Sequence, residues 1–221
     1  MVREGKPKGF FYLDHRTADG KHAIITDTHI TNVVHDSQSY LARLDRQIQR
    51  FGFALQSVGL YAGYFTSAVC QELEERAIEG VMDYNRPAHQ ARCFYKRQFS
   101  YDATTDRYRC PQQQVLLYKT INRLGYREYY SDLTHSRRCP QRKQCTHSAN
   151  SKKVVTRHVW EAAKEAIDAR RLTERGKRLY ARRKKTVERS IVDAKQLCGH
   201  RYVRMRELAK VLEQCLLAAA C

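Results

Sequence analysis

The chain begins with a pattern typical of a β-hairpin. Two runs rich in β-branched and aromatic residues, 10–17 and 22–31, are separated by the turn Ala18-Asp19-Gly20-Lys21. Asp-Gly between two such runs is a strong hairpin signal, because both residues tolerate the left-handed backbone that a tight turn needs. The pattern therefore predicts two antiparallel strands that pair with each other.

Predicted helices and strands alternate after the hairpin. Apolar residues from Leu41 to Phe51 recur at helical spacing, which predicts a helix capped by Ser37 or Ser39. Three more elements follow: a buried strand at 57–62, a helix from Thr66 to about Glu79, and a strand at 80–84. This order predicts an α/β fold in which the hairpin and the strand at 57–62 share one sheet.

The pattern changes between residues 85 and 155. This segment holds three of the four prolines and only short predicted strands, at 98–101 and 107–110. Helical periodicity returns at Thr156 and continues into a last amphipathic helix, Arg206–Ala220. We therefore expect three parts: a sheet with helices at 1–84, a basic insertion rich in Cys and Tyr at 85–155, and C-terminal helices at 156–221.

The basic charge is concentrated in the last two thirds of the chain. The formal net charge is +18, yet residues 1–91 hold 10 Lys and Arg against 11 Asp and Glu. A basic excess confined to 92–221 predicts a face that binds a polyanion, DNA or RNA. No apolar run reaches the ~20 residues of a membrane span, and the cysteines lack the tight spacing of secreted proteins. We expect a cytoplasmic protein without a membrane partner.

The most basic predicted helix covers residues 180–195. Two acidic residues, Glu188 and Asp193, lie there with six cations that we expect to bind DNA: Arg182, Arg183, Lys184, Lys185, Arg189 and Lys195. In an α-helix Lys184 and Lys195 share a face with Glu188, an arrangement that suits a site where metal and phosphate meet. The alternative is a solvated helix with charge pairs at i, i+4. A stripe of apolar residues predicts that this helix packs on the sheet: Val187, Ile191, Ala194 and Cys198.

Three stretches of the sequence resemble a known family. Lys184-x3-Glu188-x6-Lys195 resembles the R-x3-E-x6-K signature around the last carboxylate of the DDE transposases of bacterial insertion sequences. G-L-Y-A-G-Y at 59–64 resembles the family's A-D-A-G-Y block, and V-E-R-S-I-V-D-A-K at 187–195 resembles its V-E-R-x-F-x-x-x-K block. The resemblance implies an RNase H-like fold, transposase activity on the DNA ends of an insertion sequence, association with the nucleoid and contacts with other transposase protomers.

The resemblance also implies an incomplete catalytic site. Strand transfer in this family needs three carboxylates that hold two Mg²⁺ ions. Glu188 matches the third, Tyr61 stands where the family has the second Asp, and the first lies upstream of the segment present here. Asp14 and Asp27 are the nearest substitutes. We expect an incomplete RNase H-like fold and a transposase fragment that is inactive alone, with Mg²⁺ doubtful as its cofactor. The alternatives are a stand-alone basic nucleic-acid-binding protein and a gene product that folds poorly.

Cysteines in the insertion form a candidate zinc site. Cys110, Cys139 and Cys145, with either His135 or His147, could supply four tetrahedral ligands. Relatives often carry a Cys at the place of Ser136, and without it the spacing is a weak signal, so we expect no Zn²⁺. The other thiols are interpreted as core or incidental residues: Cys70, Cys93, Cys198, Cys215 and Cys221.

The insertion also alternates aromatic and cationic residues. Such a surface can stack bases on the rings and bind phosphates through the cations, whereas the alternative is a Tyr-rich β-subdomain with a solvated rim. The sequence leaves both readings open for this set: Tyr118, Tyr126, Tyr129 and Tyr130 with Lys119, Arg123, Arg127, Arg137 and Arg138.

Overall fold

A computed structural model of the protein describes residues 11–33, 35–84 and 93–220. The chain divides into two units. Residues 1–85 and 163–221 form one, called here the discontinuous unit, and residues 86–162 form the other, the insertion unit. The predicted boundary between 84 and 85 and the terminal Cys221 fall partly or wholly outside the described residues.

The discontinuous unit contains two small sheets and six α-helices among its described residues. Strands β1 (Leu13–Ala18) and β2 (Ile25–Thr31) pair antiparallel, and β3 (Ser57–Leu60) and β4 (Glu79–Met82) pair parallel. The helices are α1 (Tyr40–Phe51), α2 (Ser67–Glu75), α5 (Glu161–Leu172, whose first two residues belong to the insertion unit), α6 (Glu174–Arg183), α7 (Arg189–Gln196) and α8 (Leu208–Ala220). A π-helical segment, Lys184–Glu188, joins α6 to α7.

The predicted hairpin is confirmed, but its predicted place in one sheet with β3 is wrong. In the described part of the chain β1 pairs with β2 and β3 pairs with β4, and the two pairs remain separate sheets. Helical elements also contact the hairpin: the π-helical segment lies against β1, α8 lies against β2, and Arg43 and Arg46 of α1 bond Asp27 of β2. The sequence pattern identified the strands correctly and overestimated how many of them hydrogen-bond together.

The main core of this unit lies among α1, α2, β4 and α5. Leu73, Met82 and Ile167 are 0–1% exposed and pack in one cluster. Helix α2 starts where the sequence predicted, and Thr66 caps it, because its side-chain oxygen accepts a hydrogen bond from the backbone N–H of Val69. This core holds β3 and β4 side by side, so the residues that follow each strand meet at one edge.

The insertion unit is an antiparallel sheet whose five strands follow one another in chain order. These are β5 (Ser100–Asp102), β6 (Arg107–Arg109), β7 (Val115–Ile121), β8 (Tyr126–Ser131) and β9 (Val154–His158), with the short helices α3 (Leu133–Arg138) and α4 (Arg142–Cys145) between β8 and β9. Thr156 lies in β9, so the prediction that helix begins there is wrong. Alternation along β9 buries Val155 and Arg157 on one face, a period of two that a helical reading misses.

Candidate functional site

The carboxyl ends of β3 and β4 place Tyr61 and Asp83 at one edge of their sheet. Tyr61 follows the last residue of β3 and Asp83 the last residue of β4. The two strands are parallel, so both side chains emerge where functional residues of α/β folds commonly lie. Asp83 escaped the sequence analysis, which placed it inside the predicted strand at 80–84, although an acidic residue near the end of a strand was a usable signal.

Helix α6 brings a third residue, Arg183, to this edge. The helix lies directly on β3: a Cβ atom placed on Gly59 would be 3.4 Å from the Cβ of Arg183. The guanidinium carbon of Arg183 is 3.8 Å from the ring centre of Tyr61 and 4.4 Å from that of Tyr180. Both distances are within the range of cation–π attraction, so the cation is enclosed by two aromatic rings.

Arg183 also pairs with Glu188, the carboxylate singled out from the sequence. Its Nη2 donates to Oε1 of Glu188 at 2.6 Å and to the hydroxyl of Tyr180 at 2.8 Å. The side chain of Arg183 is 3% exposed and that of Glu188 is 34% exposed. The guanidinium is therefore a nearly buried cation whose carboxylate partner still reaches solvent.

Two nitrogens of Arg183 make no hydrogen bond. Nε and Nη1 are buried, and no acceptor among the described residues bonds them. A buried donor left unpaired costs about 1–3 kcal/mol, so the contacts with Glu188 and the two rings must offset this cost. The guanidinium of Arg183 therefore has two buried N–H groups that lack an acceptor.

A hydrogen-bonded chain connects Arg183 to Asp83 as well. The Tyr180 hydroxyl bonds to Asp83 and thereby lowers the pKa of that carboxyl, while burial and this same bond raise the pKa of Tyr180. Burial likewise raises the pKa of Tyr61, with Arg183 opposing it. At neutral pH the site therefore holds a charged Asp83, a neutral phenol at Tyr61 and the Arg183–Glu188 ion pair.

The π-helical segment determines which cation meets Glu188. The α-helical reading paired Glu188 with Lys184, four residues earlier, but the observed partner is Arg183, five residues earlier. A π-helical turn follows an i to i+5 pattern, so it brings residues five apart together. Nζ of Lys184 instead lies 5.7 Å from the ring centre of Tyr180. The predicted Lys184–Glu188 relation is corrected by this local change of helical period.

The other cations of this stretch point to solvent. Arg182, Lys184, Lys185, Arg189 and Lys195 are exposed, and we call these five residues the basic surface. Arg189 is typical: its side chain is 78% exposed and lies 3.6 Å from Asp193. Arg183 differs from them because it is buried.

The comparison with family models identifies the chain. The model described as "Transposase DDE domain" matches residues 109–221, just over half of the chain. The chain belongs to the DDE transposase family. Among curated proteins and solved structures no match was found. The matched range contains Glu188 and the basic surface but not Tyr61, whose assignment to the second carboxylate position remains a prediction.

Family membership implies an RNase H-like fold and a DNA substrate, and DDE transposases generally use Mg²⁺. The mixed α/β architecture of the discontinuous unit agrees with that fold class. Within the described residues, no helix is long and apolar enough to cross a membrane.

The residues at this edge do not suit Mg²⁺ as they stand. Mg²⁺ prefers anionic oxygen ligands, whereas Tyr61 offers a neutral phenol, Glu188 is paired with a guanidinium, and the charged Asp83 already interacts with the Tyr180 hydroxyl. The two substitute carboxylates have cationic partners of their own. Asp14 accepts from Nε of Arg16 at 2.9 Å, and Asp27 is bonded by Arg43 and Arg46 at 2.8 and 2.9 Å.

The cysteines of the insertion unit lie near one another, and they include Cys93, which the sequence analysis left out of the candidate zinc site. The Cys145 thiol, whose pKa is raised mainly by burial, has Cys110, Cys139 and Cys93 as electrostatic neighbours. Sγ of Cys93 is 3.1 Å from Nε2 of His147, a contact that the interpretation of Cys93 as incidental missed. Ser136 donates its hydroxyl to Ser131. The absence of zinc here remains a prediction.

The aromatic residues of the insertion unit divide between core and surface. Tyr129 is fully buried and donates its hydroxyl to Asp106 at 2.6 Å, so it belongs to the core. Tyr118 is 46% exposed, and the Tyr130 ring lies 3.5 Å from the ammonium of Lys152. Of the predicted base-stacking set, Tyr118 has the most accessible ring.

Proposed function

We propose that this member of the DDE transposase family binds duplex DNA through its basic surface and does not carry out Mg²⁺-dependent strand transfer by itself. The observation that carries the proposal is the position of Arg183. Its buried guanidinium contacts both Tyr61 and Glu188, the residues predicted to stand at two of the family's carboxylate positions.

The argument against catalysis is electrostatic. A divalent ion near Glu188 would compete with a guanidinium nitrogen that is 2.6 Å from Oε1. Moving Arg183 aside would also break its contacts with Tyr61 and Tyr180. No acceptor among the described residues bonds its buried Nε and Nη1 in compensation. Tyr61 adds no charge, because burial keeps its phenol protonated.

The argument for DNA binding rests on the exposed cations. Five of them lie within residues 182–195, in one continuous helical stretch. Lys and Arg that neutralise phosphates release condensed counterions, which makes binding strong at low salt and independent of sequence. The basic surface suits this mode, and Asp193, which lies 3.6 Å from Arg189, offsets only part of the charge.

We also propose that the RNase H-like sheet is incomplete. Among the described residues the sheets of the discontinuous unit have two strands each, and isolated two-stranded sheets are marginally stable in water. A further strand pairing with β1 or β3 would complete the sheet, and it is the expected place for an additional carboxylate.

Duplex binding is tested by a salt titration. Affinity for a short duplex should fall by orders of magnitude between ~50 and ~200 mM salt. Changing Lys184, Lys185 and Arg189 together to Gln should reduce the slope of log K against log salt by about 3, since each phosphate contact contributes about 1. Arg50→Gln, an exposed cation on α1, is the matched control and should leave the slope unchanged. Binding that ignores salt would refute the proposal.

Strand transfer is tested separately with Mg²⁺ and supercoiled plasmid. The unmodified chain should neither nick nor join DNA. Mg²⁺-dependent nicking that disappears in Glu188→Gln would contradict the second half of the proposal while leaving the first half intact.

A further inference from the structure

Three side chains of types that can bind a metal ion are distant in the sequence but lie close together at the hairpin. Asp14 lies on β1, His200 in the loop between α7 and α8, and Cys215 on α8. All three belong to the discontinuous unit, and their ligand atoms lie within 4.8 Å of one another. Of the donor residues that the structure describes, they form the group in which three such atoms converge this closely.

The distances match those between the ligands of a tetrahedral ion. Nε2 of His200 is 3.2 Å from Oδ2 of Asp14 and 3.4 Å from Sγ of Cys215. Zinc bonds of about 2.0–2.1 Å to nitrogen or oxygen and about 2.3 Å to sulfur place tetrahedral ligand atoms about 3.3–3.8 Å apart. A small inward or outward shift of each side chain would accommodate the ion.

The geometry does not fit a nucleophilic triad. In a triad the base contacts the nucleophile with one ring nitrogen and the orienting carboxylate with the other. Here Asp14 and Cys215 both approach Nε2, and Nδ1 of His200 is buried without a partner. Two groups converging on one ring nitrogen resemble ligands arranged around a common centre.

Unmet hydrogen bonding is a second observation that points to a ligand. Oδ1 of Asp14 is buried and has no donor among the described residues, while Oδ2 already accepts from Arg16. Buried acceptors are rarely left unpaired. A cation between Asp14, His200 and Cys215 would give this oxygen a partner if Asp14 bound it through both of its oxygens.

We propose that Asp14, His200 and Cys215 bind one Zn²⁺ ion that fixes α8 to the hairpin. One thiolate, one imidazole and one carboxylate form a mixed donor set that suits zinc rather than Mg²⁺ or Ca²⁺. The fourth position is filled by water or by the second oxygen of Asp14. This site is separate from the Arg183–Glu188 pair and does not depend on the proposed DNA binding.

Binding exchanges a proton for the metal. Zn²⁺ replaces the proton of the Cys215 thiol: the S–H bond breaks, an S–Zn bond forms, and one proton leaves to the buffer. Anchoring follows from position, because Cys215 and Val211 of α8 pack on Ile30 of β2.

The first experiment measures metal content and spectrum on the full chain. Protein stripped with a chelator and reloaded should retain Zn²⁺ after gel filtration, and Co²⁺ in its place should show a thiolate-to-metal charge-transfer band. Cys215→Ser and His200→Gln should each lose one equivalent and lower the thermal midpoint reached with Zn²⁺. The double variant Cys139→Ser/Cys145→Ser is the matched control in the insertion unit and should keep that equivalent and the band.

A second measurement needs no variant. Cys215 is buried, so alkylation of the eight cysteines is done in mild urea and mapped by mass spectrometry; Cys215 should react more slowly with Zn²⁺ bound than after chelation. The proposal is overturned if the wild-type chain retains no metal, or if Cys215→Ser keeps the full equivalent. It is also overturned if Zn²⁺ protects only the cysteines of the insertion unit.

Discussion

The ion pair between Arg183 and Glu188 is unequally buried, and this predicts unequal costs for removing its two halves. The side chain of Arg183 is 3% exposed, whereas that of Glu188 is 34% exposed. Glu188→Gln leaves a buried cation without a countercharge, while Arg183→Met leaves a carboxylate that water can reach. We therefore expect Glu188→Gln to be the more destabilising change.

The magnitudes follow from the contacts. Breaking a fully buried pair costs about 3–5 kcal/mol, and partial exposure of Glu188 with an amide oxygen still in place reduces this to about 2 kcal/mol. Arg183→Met forfeits two cation–π contacts of ~0.5–2 kcal/mol each. It also removes two buried nitrogens without acceptors, each costing ~1–3 kcal/mol. The two effects oppose, so the net change should stay within about 1 kcal/mol.

The assay is urea unfolding followed by circular dichroism, with both single variants and the double variant. In the Arg183→Met background Glu188→Gln should cost little, which gives a coupling energy of about 2 kcal/mol. Arg182→Met, the exposed neighbour in α6, is the matched control and should change stability by less than about 0.5 kcal/mol. An Arg183→Met variant clearly less stable than Glu188→Gln, or a coupling energy of zero, would refute the reasoning.

Four further predictions concern other parts of the chain. Tyr61→Asp should not create Mg²⁺-dependent nicking of plasmid DNA, because Arg183 would pair with the new carboxylate as well. Thr66→Ala should lower the free energy of unfolding by about 1 kcal/mol in urea, since it removes the cap of α2. Ile167→Ala should lower it by about 2–5 kcal/mol, since the side chain is 0% exposed. Hydrogen bonds from Tyr129 and Tyr101 lower the pKa of Asp106 in the folded protein. The stabilisation from Asp106 is therefore present above the unfolded-state pKa of 3.8 and is lost as the pH falls below that value. Asp106→Asn should flatten this loss of stability in acid unfolding curves.

Local patterns predicted the elements of the discontinuous unit well. The hairpin, the cap at Thr66 and the short strands β3 and β4 each depend on residues within a few positions, so their signals are complete in the sequence. The failures involve pairing between distant segments. Nothing in the composition of β3 indicates whether β1 or only β4 bonds to it, because strand partners are chosen by the whole core.

The candidate zinc ligands show the same limit more strongly. Asp14 and Cys215 are separated by most of the chain, and α8 reads as an ordinary amphipathic helix in which a buried Cys is a common core residue. Only the packing of α8 on β2 brings Cys215 to Asp14. Motif spacing identifies metal sites whose ligands lie within one loop. It cannot identify sites whose ligands are brought together only by tertiary contacts.

The Arg183 site shows how a local departure from α-helical geometry changes the chemistry of a motif. The sequence analysis singled out Glu188 and its basic surroundings, but it assumed 3.6 residues per turn throughout. The π-helical segment replaces the exposed Lys184 by Arg183 as the partner of Glu188 and turns that cation toward Tyr61. A neutral ring tolerates a buried guanidinium that finds its charge partner in Glu188. Tyr61 and Arg183 are therefore complementary, and the guanidinium takes the position beside Glu188 that a bound cation would need.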